Sequence, residues 1–156
     1  MRDQRFVAAH RGGPLSKAHH RLLASWAADC AEHVLPLFEA ESRDARPHHA
    51  IATARAWARG EVTVGAAQKA AVAAHAAARS VKNPAAEAAA RAAGHAVATA
   101  HMAEHSLGPV IYGAKAVTAA SGSASEERAW QMKRLPRGVR TLVKSAVAKR
   151  LAPHAL

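Results

Sequence analysis

Alanine constrains what this chain can fold into more than any other feature. It supplies roughly a quarter of the 156 residues and dominates the sequence downstream of Glu61, most densely between Ala66 and Ala78. Alanine is the strongest helix former, and long runs of it offer no alternating apolar pattern for a strand. Its side chain adds little apolar area, so a core built on it must come from helices packed closely together. The length suits one domain with a genuine core. The expectation is an all-α bundle of five to six helices, Ala-rich, ending in a basic amphipathic helix.

Punctuating residues divide the chain. Met1 to Gly13 reads as a flexible arm closed by Gly12-Gly13-Pro14. Ser16 is placed to cap a first helix. The buried stripe of that helix is Leu15, Ala18, Leu22, Trp26, Cys30 and Val34, spaced by three and four. Pro36 predicts a kink or restart near Leu35, because it has no N–H to bond four residues back. A polar turn from Ser42 to Arg46 precedes Pro47, which suits the first turn of a second helix ending near Arg59 at Gly60. A third helix is expected from Ala66 to about Val81, stopped by Asn83-Pro84. A fourth runs from Ala85 to about His105 before Gly108-Pro109, and a fifth from Val110 to Ala120. Ser121 to Ser125 reads as a linker, with Ser125 capping a sixth helix to about Leu135. Beyond Pro136-Arg137-Gly138, the stripe Val139, Leu142, Val143, Ala146, Val147 and Leu151 lies opposite Arg140, Lys144, Lys149 and Arg150. The expected organisation is an arm over 1–13, a helical domain over 14–120, a linker over 121–125 and a basic segment over 126–156.

Charge raises nucleic acid or acidic surfaces as partners, since the formal net charge is +11. Residues 126–156 hold eight Lys or Arg against two Glu, a net of +6, leaving +5 for the rest. The excess therefore belongs to the C-terminal segment more than to the body. Arg137, Arg140, Lys144, Lys149 and Arg150 are the candidates for binding nucleic acid. No helix-turn-helix, zinc-finger or RNP signature accompanies them, and aromatic residues for base stacking are few. A single Cys excludes an internal disulfide and fits a reducing compartment. The N-terminus lacks the apolar core of a signal peptide, and no segment has the length and apolarity of a membrane span. A cytoplasmic location is expected. Oligomeric state is left open.

Three constellations carry candidate chemistry. His101-Met102-Ala103-Glu104-His105 matches the H-x-x-E-H pattern of inverted zinc peptidases, with His101 and His105 as ligands on one helix face. The same rings, with His75 and His95, fit an interhelical seam of hydrogen-bonded structural groups. No metal or other cofactor is expected, and no Gly-rich phosphate loop is present. Cys30 and His33 lie at helical spacing, but Cys30 falls on the apolar stripe and reads as a small buried residue. Asp29 sits one position from that stripe, where a carboxylate needs a partner such as Arg46 or Arg55. Either an ion-pair network locks the first helix to the second, or Asp29, Glu32, Asp44, Arg46, Arg55 and Trp57 form a partner-binding edge.

Several segments occur in order: W-A-A-D-C-A-E-H-V-L-P-L-F-E, D-A-R-P, A-I-A-T-A-R-A-W-A-R-G-E, A-A-H-A-A-A-R and H-A-V-A-T-A-H-M-A-E-H. Together, over about residues 14–120, they resemble the all-helical immunity proteins of bacterial polymorphic-toxin systems. The run from Trp26 to Glu61 is the specific part. The motif positions are Trp26, Asp29, Cys30, Glu32, Asp44, Arg46, Pro47, Arg55 and Trp57, with His95, His101 and His105. The resemblance implies a small cytoplasmic protein that binds and neutralises a cognate toxin, without catalysis. The strong positive charge departs from the acidic character of many immunity proteins. It favours an acidic toxin surface, or a role outside immunity, because two positive fields repel.

Overall fold

Short polar side chains at helix ends set most of the element boundaries. Ser16 accepts a bond from the His19 amide, Thr63 from Ala66, Asn83 from Ala86 and Ser123 from Glu126. Each satisfies one of the amide donors that a helix start leaves orphaned. The computed structural model describes residues 2–151. Among these residues there are seven α-helices: α1 (Lys17–Glu39), α2 (Arg46–Ala58), α3 (Val64–Arg79), α4 (Pro84–Ala98), α5 (Gly108–Ala119), α6 (Ala124–Lys133) and α7 (Arg140–Leu151). Short 3-10 turns cover Gln4–Phe6, Ala9–Arg11, Ala103–Leu107 and Arg137–Val139. Among the described residues the only bridge outside helices joins Ala8 to Leu15. The all-α reading holds, with one helix more than the upper expectation.

The bundle is wrapped around α4. Its side chains are buried on nearly every side, from Ala85 and Ala86 through Gly94 to Ala98, and it packs against α1, α2, α3 and α5. A helix apolar all round belongs in an interior. Alanine makes that position workable, because methyl groups let four neighbours approach one axis. The Ala-rich core also takes in Phe38, Ile51 and Trp57. A second cluster forms on the other face of α1, where Leu23, Trp26 and Cys30 meet Phe6, Leu107, Val110, Leu135, Val139, Val143 and Val147. The N-terminal turns and α7 therefore reach the same apolar surface from opposite ends of the chain. Trp26 Nε1 donates 2.9 Å to the Gln131 carbonyl, fixing α6 on α1.

Some boundaries differ from the sequence expectation. α1 runs unbroken through Pro36. The missing hydrogen bond falls one turn from the helix end, and buried Val34, Leu35 and Phe38 hold that turn in place. α4 stops at Ala98, well short of His105. Thr99 bonds its own hydroxyl back to the His95 carbonyl, and the chain turns so that Ala103 and Leu107 bury in the second cluster. Burial outweighs propensity there. Ser123, and not Ser125, caps α6.

Candidate functional site

The expected partner-binding residues separate into three places. Arg55 on α2 donates 2.8 Å to Asp29 and 2.8 Å to Glu32 on α1, making an interhelical fork at the surface. Asp44 and Arg46 pair with each other within one turn at the start of α2. That hydrogen bond holds the Asp44 carboxyl below the usual carboxylate range. Trp57 faces inward, its ring centroid 4.7 Å from that of buried His20, whose Nε2 meets the Thr99 carbonyl at 2.6 Å. Cys30 is fully buried, and burial pushes its thiol well above its ordinary value.

Four histidines line one seam. The ring centroids of His75 and His95, of His95 and His105, and of His101 and His105 are each 5.2 Å apart. His95 Nδ1 and His105 Nδ1 meet at 3.1 Å, so one ring donates to the other. Arg91 donates 2.9 Å to His75 Nδ1. Glycine makes room for these rings. A Cβ at Gly94 would lie 2.6 Å from His75 Nε2, and one at Gly108 would lie 2.4 Å from His95 Cβ. Burial pushes His95 down to about 4, with neighbouring His105, His75, Arg91 and Arg150 adding to the effect. It lowers His75, His101 and His105 as well. The seam therefore holds neutral imidazoles at pH 7.

The H-x-x-E-H segment does not form a helical ligand face. His101 lies in the turn after α4 and His105 in the 3-10 segment. Glu104 is engaged by the Arg150 side chain and by the Asp3 amide at 2.8 Å. No group of three His, Cys, Asp or Glu side chains is gathered for a metal among the described residues.

A valley runs between α4 and α5 beside the histidine seam. Its larger part, about 740 Å³, is lined by Pro84, Glu87, Ala88 and Arg91 on α4 and by Tyr112, Lys115 and Thr118 on α5. Tyr112 also borders an adjoining cavity of about 340 Å³ that reaches His95, His105 and Arg150. The Tyr112 ring stacks on His95 with centroids 5.1 Å apart, and Lys115 Nζ stands 5.2 Å from the Tyr112 centroid. Neither Arg91 nor Lys115 has a carboxylate partner among the described residues. Sequence reasoning passed over this site. Its signal was the sole tyrosine followed by a lysine three positions on, facing an α4 row of Glu87, Arg91 and His95 spaced by four.

The C-terminal cations divide too. Val143, Ala146 and Val147 are buried, so α7 lies docked with Arg140 and Lys144 exposed, and Arg137 is exposed in the turn before it. Arg150 turns to Glu104, and Lys149 borders a cleft with Arg2 and Asp3. Between α1 and α6, His33, Trp130 and Arg134 stack. The His33 and Trp130 rings are 3.6 Å apart, and the Arg134 guanidinium is 3.8 Å from the Trp130 centroid.

No helix among the described residues is long and apolar enough to cross a membrane. A family model described as Imm-5 like putative immunity protein matches residues 13–138. No curated protein and no solved structure matches the chain. The matched span contains α1 to α6, with the valley and the histidine seam, and ends before α7.

Proposed function

The chain belongs to the Imm-5 like putative immunity protein family, and we propose that it neutralises a cognate bacterial toxin by binding it. Neutralisation works through protein–protein contacts in the cytoplasm, without catalysis. The family match across α1 to α6 is the observation that carries this reading. The character of the polar groups supports it. The Asp29–Arg55–Glu32 fork and the histidine seam are tied up within the fold, which suits a rigid binding surface whose side chains are already ordered. Affinity capture of tagged protein from the producing strain, with nuclease treatment, tests the reading. The captured protein should arrest growth when expressed alone in a naive host, and growth should return when this chain is co-expressed. Recovery of nucleic acid alone, or no rescue by the chain, would sink it.

A second reading rests on the exposed cations Lys133, Arg134, Arg137, Arg140 and Lys144, none paired with a carboxylate among the described residues. Such a row can hold a phosphate backbone. Binding to nucleic acid through it would weaken steeply between low and moderate salt, by a factor of about 500 for five phosphate contacts. A flat salt profile in an anisotropy titration removes this reading.

A further inference from the structure

We propose that the valley between α4 and α5 is the docking site for an acidic segment of the partner. The inference rests on the toxin-binding reading and names the surface and chemistry that would serve it.

The valley offers two kinds of contact side by side. Ala88 forms an apolar wall too short to fill the space, and Thr118 and Pro84 leave it open. A partner's apolar side chain can enter there and lose water on several sides. Arg91 and Lys115 supply cations at the same groove, next to Tyr112. Arg91 spends one guanidinium nitrogen on His75 and is half-buried, so it is held in place by the histidine seam. A half-buried cation without a carboxylate leaves an unmet electrostatic demand, and an incoming Asp or Glu meets it. Glu87 lies one helical turn from Arg91 along α4 and pairs with neither cation. It would repel an acidic residue placed at its own level, so it biases the partner's carboxylate toward the Tyr112 end. Tyr112, stacked on His95, supplies a rigid aromatic floor of the type that dominates interface energetics.

The net charge of +11 adds a long-range component. Residues 126–156 hold +6 of it, so an acidic partner is drawn toward the molecule as a whole, and the valley gives that attraction a seat. The Asp29–Glu32 edge sets two carboxylates against the one Arg55 guanidinium, so it stays net negative and offers no seat for an acidic segment.

A random-peptide library displayed on phage and selected against the full chain tests this without knowledge of the partner. Selected peptides should carry Asp or Glu beside an apolar residue. Their affinity should fall about tenfold or more for Lys115→Glu and for Thr118→Trp, which fills the groove. Both positions are exposed, and circular dichroism confirms that the variants fold. Lys144→Glu on α7 should leave affinity unchanged. The proposal is overturned if no peptide is selected, if the peptides lack a carboxylate, or if Lys144→Glu costs as much as Lys115→Glu. A captured toxin still neutralised at full affinity by Lys115→Glu and Thr118→Trp overturns the valley and leaves toxin binding standing. A valley that selects acidic peptides while no toxin is recovered keeps the site and removes the toxin.

Discussion

Gly108 shows how one missing methyl group can set the shape of a site. Helix propensity alone gives no reason to keep a glycine at Gly108, the first residue of α5. The added Cβ would lie 2.4 Å from His95 Cβ, a contact no rotamer change relieves. The expected result is a loss of about 1–3 kcal/mol in denaturant unfolding, the usual range for overpacking. Unchanged or raised stability would mean that the seam yields easily. The ring it protects has a pH signature. Imidazole ordinarily titrates near 6.5, whereas His95 is held down to about 4. Between those values the unfolded chain binds a proton that folded His95 does not. Stability from this ring is therefore complete above pH 6.5, declines as the pH falls through the window, and levels off below about 4. Allowing for partial solvent exposure, the change is about 2 kcal/mol. Urea unfolding across pH should reveal it, and His95→Gln should remove that share of the slope while leaving the part that His75, His101 and His105 contribute.

Individual elements are joined by polar ties as well as by apolar faces. The Arg55 fork links α1 to α2, but its carboxylates stand substantially exposed, at 43% for Asp29 and 57% for Glu32. Solvent screening limits what such pairs contribute. Arg55→Ala should cost about 1 kcal/mol at low ionic strength and less at high salt. A larger, salt-independent loss would show that packing of the arginine stem dominates. The fork was legible in the sequence as a pairing of Asp29 with Arg46 or Arg55, and the structure selects Arg55, with Arg46 held by Asp44. The separation of Trp57 from that edge was not, because the facing of α2 depends on His20 and Thr99 from other parts of the chain.

Across the whole molecule, the two ends of the chain close the second apolar cluster. Phe6 arrives from the N-terminal turns and Val143, Ala146 and Val147 from α7, while Arg5 bonds Ser145 and Arg150 bonds Glu104. A chain ending at Val139 would expose the surface that α7 covers. It should lose about 3–5 kcal/mol, the burial of two valines plus smaller contacts. Thermal unfolding at the full-length midpoint would show α7 to be a detachable addition. The asymmetry of charge also belongs to this scale. Lys133, Arg134, Arg137, Arg140 and Lys144 are exposed and have no carboxylate partner among the described residues, whereas most of the carboxylates near α1 and α2 have a local arginine partner.

The helical architecture and most helix starts were determined by the sequence itself. Ser16 and Pro47 at helix starts, and Gly60 and Asn83-Pro84 at helix ends, act within a turn of their own position, so local chemistry is enough to read them. Ser123 was displaced by two residues from the expected cap, the usual error of a serine-rich turn. Only the tertiary structure decided where α4 ends, which rings pair in the histidine seam, and that Arg91, Tyr112 and Lys115 share one valley. The reason is physical. An alanine helix presents nearly the same surface on every side, so its pattern does not say which neighbours it meets. Those choices fall to the few large or charged side chains, and their partners lie on other helices.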